Sequence, residues 1–201
     1  MDMDSTLINE EGIDLLAEVA GVGVEVRRMT DQAMAGQMDF YSSLRARVKL
    51  LSGQPERTLD LVRSSLTLTE GATSLIETLK TRDWRIGVVS GGFHEIIDTF
   101  LEPLGLDFIK ANRFEIQNGI LTGEVIDPVI GPQEKAEALR TFATNFDVPL
   151  EATVAIGDGA NDAHMLKLAG LGVAFCAKPA LREVSDLQIN QRNLVQLLDH
   201  V

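Results

Sequence analysis

The sharpest division in the chain falls at Thr69-Glu70-Gly71, where the spacing of apolar residues changes. Before it, over residues 10–65, the pattern is helical. Ile13, Leu16 and Ala20 share one face, as do Leu44, Val48 and Leu51, with charged residues between them. Breaks at Gly21-Val22-Gly23, Gly36 and Ser52-Gly53-Gln54-Pro55 cut this stretch into about four helices, with Pro55 suited to a first helical turn. After the division, helices alternate with short β-branched runs. Helices are expected over 72–80, 93–101, 133–146 and 161–169, and strands over 84–89, near 108–109, over 153–156 and over 172–175, before a short helix–strand–helix tail. Residues 114–125, with Asn118-Gly119 at their centre, read as a β-hairpin. Such alternation implies a parallel sheet covered by helices, with working groups at the carboxyl ends of its strands. The expected fold class is α/β, with a helical block preceding most of the sheet.

Hydrophobic residues make up 45% of the 201, enough for a sizeable core. Acidic residues outnumber basic ones 30 to 18, and the net charge of -12 argues against a nucleic-acid partner, which needs a basic face. A phosphorylated substrate would then need local cations or a metal ion to offset the field of the protein. The single Cys176 excludes an internal disulfide and fits a reducing compartment; within Val173-Ala174-Phe175-Cys176 it reads as a buried core residue. No apolar run approaches the ~20 residues that span a bilayer, and the start lacks the basic and apolar stretches of a signal peptide. A soluble cytoplasmic protein with no membrane partner is expected, with a homodimer left open.

Four clusters carry chemistry. Asp2 and Asp4, in Met1-Asp2-Met3-Asp4-Ser5-Thr6, are carboxylates at i, i+2. Such a pair suits a nucleophile and an acid/base sharing one metal, although acidic residues also serve as helix N-caps. In Val88-Val89-Ser90-Gly91-Gly92 a strand runs into a hydroxyl and two glycines, an anion site or a plain turn. Lys135 lies near the start of a helix, where a cation opposes the dipole, which suggests a phosphoryl partner or a solvated surface residue. Ile156-Gly157-Asp158-Gly159-Ala160-Asn161-Asp162 ends a strand in one carboxylate and returns another a helical turn later, a pattern suited to Mg²⁺.

In this order and context the clusters resemble the haloacid-dehalogenase superfamily of aspartate-nucleophile phosphatases, and more narrowly its branch that releases L-serine from O-phospho-L-serine in the last step of serine biosynthesis. The likeness runs from Asp2 to Phe175-Cys176-Ala177-Lys178-Pro179. It implies a Rossmann-like core over 1–8 and 69–201 and an inserted four-helix cap over 9–68. It makes Asp2 the nucleophile that forms an aspartyl-phosphate, and Asp4 the general acid and then base. Asp2, the main-chain carbonyl of Asp4, and Asp158 would hold Mg²⁺, with Asp162 supporting its waters. Ser90, the Gly91 amide and Lys135 would hold the phosphoryl oxygens, and Asn161 would help to order the site. Glu11 would meet the substrate ammonium and Arg47 its carboxylate, under an apolar lid of Met34 and Phe40.

The resemblance also implies a central strand ahead of the nucleophile, which the chain does not show before Met1, and no amino-acid-sensing domain precedes it either. Many relatives carry aspartate where this chain has Gly131. Three alternatives stay open: another small phosphorylated substrate or an alcohol acceptor, a phospho-accepting signalling module, and a fragment that binds ligand with little activity.

Overall fold

The computed structural model of the chain describes residues 1–35 and 37–201, and for Met34 the backbone alone. Helices α1 (Gly12–Val19), α2 (Gly23–Met34), α3 (Phe40–Lys49) and α4 (Thr58–Ser65) form the expected helical block. The expected break at Gly36 and the expected lid contact of Met34 lie outside the described residues. Apolar spacing decides which faces turn inward: Ile13, Leu16 and Ala17, then Val26, then Leu44 and Val48, then Leu59 and Val62 are buried in one shared core. α3 starts where the Asp39 carboxylate accepts the Ser42 N–H at 2.8 Å, a side-chain cap on an otherwise unpaired donor. The block enters and leaves through adjacent backbone, with the Asn9 N–H donating to Thr67 O (3.1 Å) and the Thr69 N–H to Leu7 O (2.9 Å).

The rest of the chain builds α5 (Ala72–Thr81), β1 (Gly87–Phe93), α6 (His94–Leu101), β2 (Phe108–Asn112), β3 (Phe114–Gln117), β4 (Ile120–Val125), α7 (Pro132–Asn145), β5 (Val154–Gly157), α8 (Ala163–Leu168), β6 (Leu171–Phe175), α9 (Pro179–Arg182) and β7 (Leu187–Ile189). β1 pairs in parallel with β2, and β5, β6 and β7 pair in parallel in that order. β3 and β4 form the antiparallel hairpin, turning through Asn118 and Gly119 at φ 50° and 74°, the left-handed pair that a tight hairpin needs.

Residues 1 and 2 join the two parallel groups. The Met1 amino group donates to Gly87 O (2.7 Å), Met1 O accepts the Val89 N–H (3.0 Å), and the Asp2 N–H donates to Ile156 O (2.9 Å). The backbone of Met1 and Asp2 therefore occupies the central position between β1 and β5 that the resemblance assigns to a strand. An apolar cleft opens beside Met1, lined by Trp84, Ile86, Phe142, Val154 and Ile156 among others.

Two local expectations are corrected. β1 begins at Gly87 rather than residue 84 and continues through Ser90-Gly91-Gly92 to Phe93, because a register shift after Val89 brings buried Phe93 opposite Asn112. Cys176 is half-buried rather than buried, since β6 ends at Phe175 and the chain turns at Cys176 with φ 46°.

Candidate active site

β1, β5 and the turn that follows Met1–Asp2 bring the predicted residues to one end of the parallel strands. Asp2, Asp4, Glu11, Phe40, Arg47, Gly91, Gly92 and Asn161 line a single enclosed pocket. Its floor is charged. Lys135 is wholly buried, and its Nζ donates to Asp2 Oδ1 (2.5 Å) and Asp162 Oδ1 (2.8 Å). That pairing explains a cation in the first turn of α7, where the helix dipole alone would disfavour it. Burial would lower the Lys135 pKa, but Asp162 and Asp2 outweigh it and hold the ammonium well above its ordinary value.

Asp2, Asp158 and Asp162 each place a carboxylate oxygen within 4.8 Å of the others. Their charges explain why Asp2 is raised well above the usual carboxylate range despite its ion pair: burial comes first, then repulsion from Asp162, with Lys135 opposing both. Burial and the same neighbour push Asp158 up to about 7. Three carboxylates share one ammonium, which leaves two negative charges. Asp158 Oδ1 and Asn161 Oδ1 are buried here with no hydrogen-bond partner among the described residues. Oxygen donors, an orphaned carboxylate oxygen and a deficit of two positive charges all fit a divalent cation.

Asp4 is held differently. Its Oδ1 accepts the Gly12 N–H (2.7 Å), and its Oδ2 accepts the Ser90 hydroxyl (2.9 Å), which in turn accepts the Gly92 N–H (2.8 Å). A Cβ on Gly92 would lie 2.9 Å from Asp4 Oδ2, and one on Gly91 would lie 2.8 Å from Phe40 Cζ, so both glycines admit close approach to the pocket. Glu11 immediately precedes α1, and its carboxylate accepts the Ser5 hydroxyl (2.7 Å), with Ser5 at φ 55°. Burial, then the charges of Asp4 and Asp158, raise Glu11 well above its ordinary value.

The wider comparison decides the family. The haloacid dehalogenase-like hydrolase family matches residues 1–167. The chain belongs to it. Within that family, phosphoserine phosphatase of Lactococcus lactis subsp. lactis (strain IL1403) is 48% identical over 201 residues, spanning 100% of this chain and 93% of its own length. A solved phospho-aspartyl intermediate analogue of phosphoserine phosphatase superposes with a TM-score of 0.97 at 45% identity, covering 100% of this chain and 96% of that one. A substrate-bound phosphoserine phosphatase complex gives a TM-score of 0.97 at 44% identity, covering 100% and 95%. The α/β fold with its parallel sheet is that of these family members.

Every predicted site residue whose side chain is described lies in the pocket or bonds directly to a residue that lines it, except Asp158 and Asp162, which join Asp2 in the buried acidic cluster. Sequence reasoning missed the residues that hold the site together. Asn112 ties β1 to the loop before α7, donating to Gly91 O (2.8 Å) and accepting the Ile130 N–H (2.6 Å). Tyr41 on α3 donates to Glu134 on α7 (2.7 Å), joining the helical block to the core. Arg192 braces the turn after Asp4 through Ser5 O (3.1 Å) and Asn9 Oδ1 (2.9 Å). These contacts span 18 to 187 residues of sequence, and no local spacing announces them.

Proposed function

We propose that this chain hydrolyses O-phospho-L-serine to L-serine and phosphate through an aspartyl-phosphate on Asp2, with residues 9–68 acting as a cap over a core of residues 1–8 and 69–201. The observation that carries this reading is the one pocket that gathers Asp2 and Asp4 with Glu11 and Arg47. A phosphoryl group beside Asp2 and Asp4 leaves the amino acid portion facing Glu11 and Arg47, an anion for its ammonium and a planar cation for its carboxylate.

Lys135 and the Met3 N–H (2.8 Å) both bind Asp2 Oδ1. The attacking oxygen is therefore Oδ2, and its attack on phosphorus displaces the seryl oxygen. Asp4 protonates that oxygen as it leaves; the same carboxylate then takes a proton from the water that attacks the aspartyl-phosphate, so acid and base alternate on one residue. Ser90, the Gly91 amide and Lys135 hold the phosphoryl oxygens, and Asn161 orders the wall of the pocket. Mg²⁺ held by Asp2, Asp158 and the main-chain carbonyl of Asp4, with Asp162 behind them, would screen the repulsion between carboxylate and phosphoryl oxygens.

The test is phosphate release from O-phospho-L-serine with and without Mg²⁺, beside the Asp2→Asn variant and with phosphothreonine and an aromatic phosphate as competing substrates. Mg²⁺-dependent release, lost in Asp2→Asn and most efficient with phosphoserine, is expected. Release that survives Asp2→Asn removes the assigned nucleophile.

A further inference from the structure

Arg47 enters the pocket from α3, and its guanidinium is already committed on one side. Its Nε donates to Ser43 O (3.3 Å) on its own helix, and its Nη1 donates to the hydroxyl of Thr30 (3.0 Å) on α2. The Thr30 hydroxyl has a single proton. Its nearer acceptor is Asp14 Oδ1 on α1, at 2.7 Å, with Val26 O at 3.2 Å. Thr30 is 3% exposed, Arg47 5% and Asp14 8%, so the chain Asp14–Thr30–Arg47 runs through the interior of the helical block. Nothing in the proposed reaction uses Asp14 or Thr30, and neither lines the pocket.

We propose that Thr30 and Asp14 are positioning residues for substrate specificity: they fix the rotamer of Arg47 so that its Nη2 is presented to the carboxylate of an amino acid phosphate. The inference rests on the reading of Arg47 as the carboxylate-binding residue. A long arginine side chain has many rotamers, and ordering it only when substrate arrives would weaken binding. Two bonds made in advance on Nε and Nη1 remove that cost and leave Nη2 for the ligand. The Asp14 carboxylate fixes the direction of the relay. Because it accepts the Thr30 proton, the hydroxyl lone pairs face Arg47, and the hydroxyl can only accept from the guanidinium. The negative charge of Asp14 also favours a guanidinium that burial alone disfavours. Asp14 itself is within reach of Arg27 Nε at 3.9 Å, on the outer side of the block.

This role differs from helix packing in what it moves. A packing defect alters all substrates alike, whereas a misdirected Arg47 affects only those with a carboxylate. The experiment compares O-phospho-L-serine with O-phosphoethanolamine, which keeps the phosphoryl and ammonium groups and lacks the carboxylate. Four variants are measured: Thr30→Val, Thr30→Ser, Asp14→Asn and Arg47→Ala. Thr30→Val is expected to raise KM for phosphoserine about tenfold, the scale of one hydrogen bond to a charged group, with kcat changed less than about threefold. Its kcat/KM for phosphoethanolamine should move less than about twofold, and Thr30→Ser should restore the phosphoserine value. Asp14→Asn keeps the shape of the side chain and an oxygen for the Thr30 hydroxyl but removes the charge, so it should show a smaller selective rise of about two- to threefold, which decides the matter where Thr30→Val does not fold.

Two results overturn the proposal and are distinguishable. A selective loss in Arg47→Ala, with phosphoserine KM unchanged in the folded Thr30 and Asp14 variants, removes the positioning role alone. Equal losses on both substrates in Arg47→Ala remove the carboxylate-binding reading and the positioning role with it.

Discussion

Replacing Lys135 with methionine tests the electrostatic account of the site most directly. The side chain is wholly buried, as are the Asp2 and Asp162 oxygens it binds at 2.5 and 2.8 Å. Methionine fills nearly the same volume, so the change isolates charge. Removing one partner of a buried ion pair costs about 3–5 kcal/mol. A chain of this size loses about 2–4 °C of Tm per kcal/mol, so Lys135→Met should melt about 6–20 °C below wild type at neutral pH without divalent cation. The sign with pH follows from the acids. Burial and mutual repulsion raise Asp2 and Asp158 in the folded protein, Asp158 to about 7. Removing the opposing cation raises them further. Groups raised on folding favour the folded state below their unfolded pKa and cease to do so as pH rises through the folded value. The deficit of the variant should therefore shrink toward pH 4 and be greatest above pH 7. Mg²⁺ should recover more Tm in the variant than in wild type, because the site has lost one of its own positive charges, while phosphate release falls by 10² or more. Thermal unfolding followed by circular dichroism at pH 4, 6 and 8, with and without Mg²⁺, gives the answer. Equal deficits at pH 4 and pH 8, with the same Mg²⁺ shift in both proteins, would refute the reasoning.

Joining six apolar residues ahead of Met1 should raise Tm by several degrees. Each buried apolar side chain contributes about 1.5–3 kcal/mol against about 1–2 kcal/mol for ordering each residue, and the join removes an amino group that burial holds down at about 6; an unchanged Tm would show that the cleft beside Met1 accepts no strand. Tyr41→Phe deletes the hydrogen bond to Glu134 that joins α3 to α7, so phosphoserine KM should rise a few-fold while Tm falls by about 2–5 °C, and steady-state kinetics unchanged from wild type would count against a closing role. Ser5→Gly tolerates the left-handed backbone at φ 55° but loses the bond to Glu11, so it should keep Tm within about 3 °C and weaken phosphoserine binding, whereas Ser5→Val should lose about 1–3 kcal/mol of stability to backbone strain.

What could be read from the sequence was chemistry that lies contiguously along the chain. Asp2 with Asp4 and Asp158 with Asp162 are each set by extended backbone and the turn that follows, and Ser90 with Gly91 and Gly92 lie side by side within β1, so local spacing locates them. Lys135 was visible only as an anomaly, a cation where the dipole disfavours one. Its partners are 133 and 27 residues away. Thr30 and Asp14 gave no such signal, because a threonine and an aspartate on amphipathic helices look the same whether they face water or an arginine. The extension of β1 through two glycines was illegible for a related reason. Glycine reads as a turn in isolation, and it was the pairing of Phe93 with Asn112 that carried the strand onward.

A protein with a net charge of -12 that binds a phosphorylated amino acid must confine its positive charge to a few places, and Glu11 shows what that arrangement costs. Its carboxylate lines the pocket beside Asp4, and burial followed by the charges of Asp4 and Asp158 raises it well above its ordinary value. In the free protein the Ser5 hydroxyl and the charge of Arg47 offset that only in part, while a substrate ammonium would relieve it. The strain thus becomes selectivity: a phosphate ester without an ammonium adds negative charge and leaves Glu11 uncompensated. Glu11→Gln keeps an oxygen for the Ser5 hydroxyl and removes the charge. Above the unfolded carboxyl pKa wild type carries the cost of the buried charge and the variant does not; below it both are neutral. The variant should therefore melt about 2–8 °C higher than wild type at pH 8, the scale of relieving about 1–2 kcal/mol of buried charge, and no higher at pH 4. Its preference for phosphoserine over an aromatic phosphate should fall by about two orders of magnitude or more. A Glu11→Gln protein that is less stable at pH 8, or that keeps the wild-type preference, would mean that Glu11 is a structural acid and that the ammonium is read elsewhere.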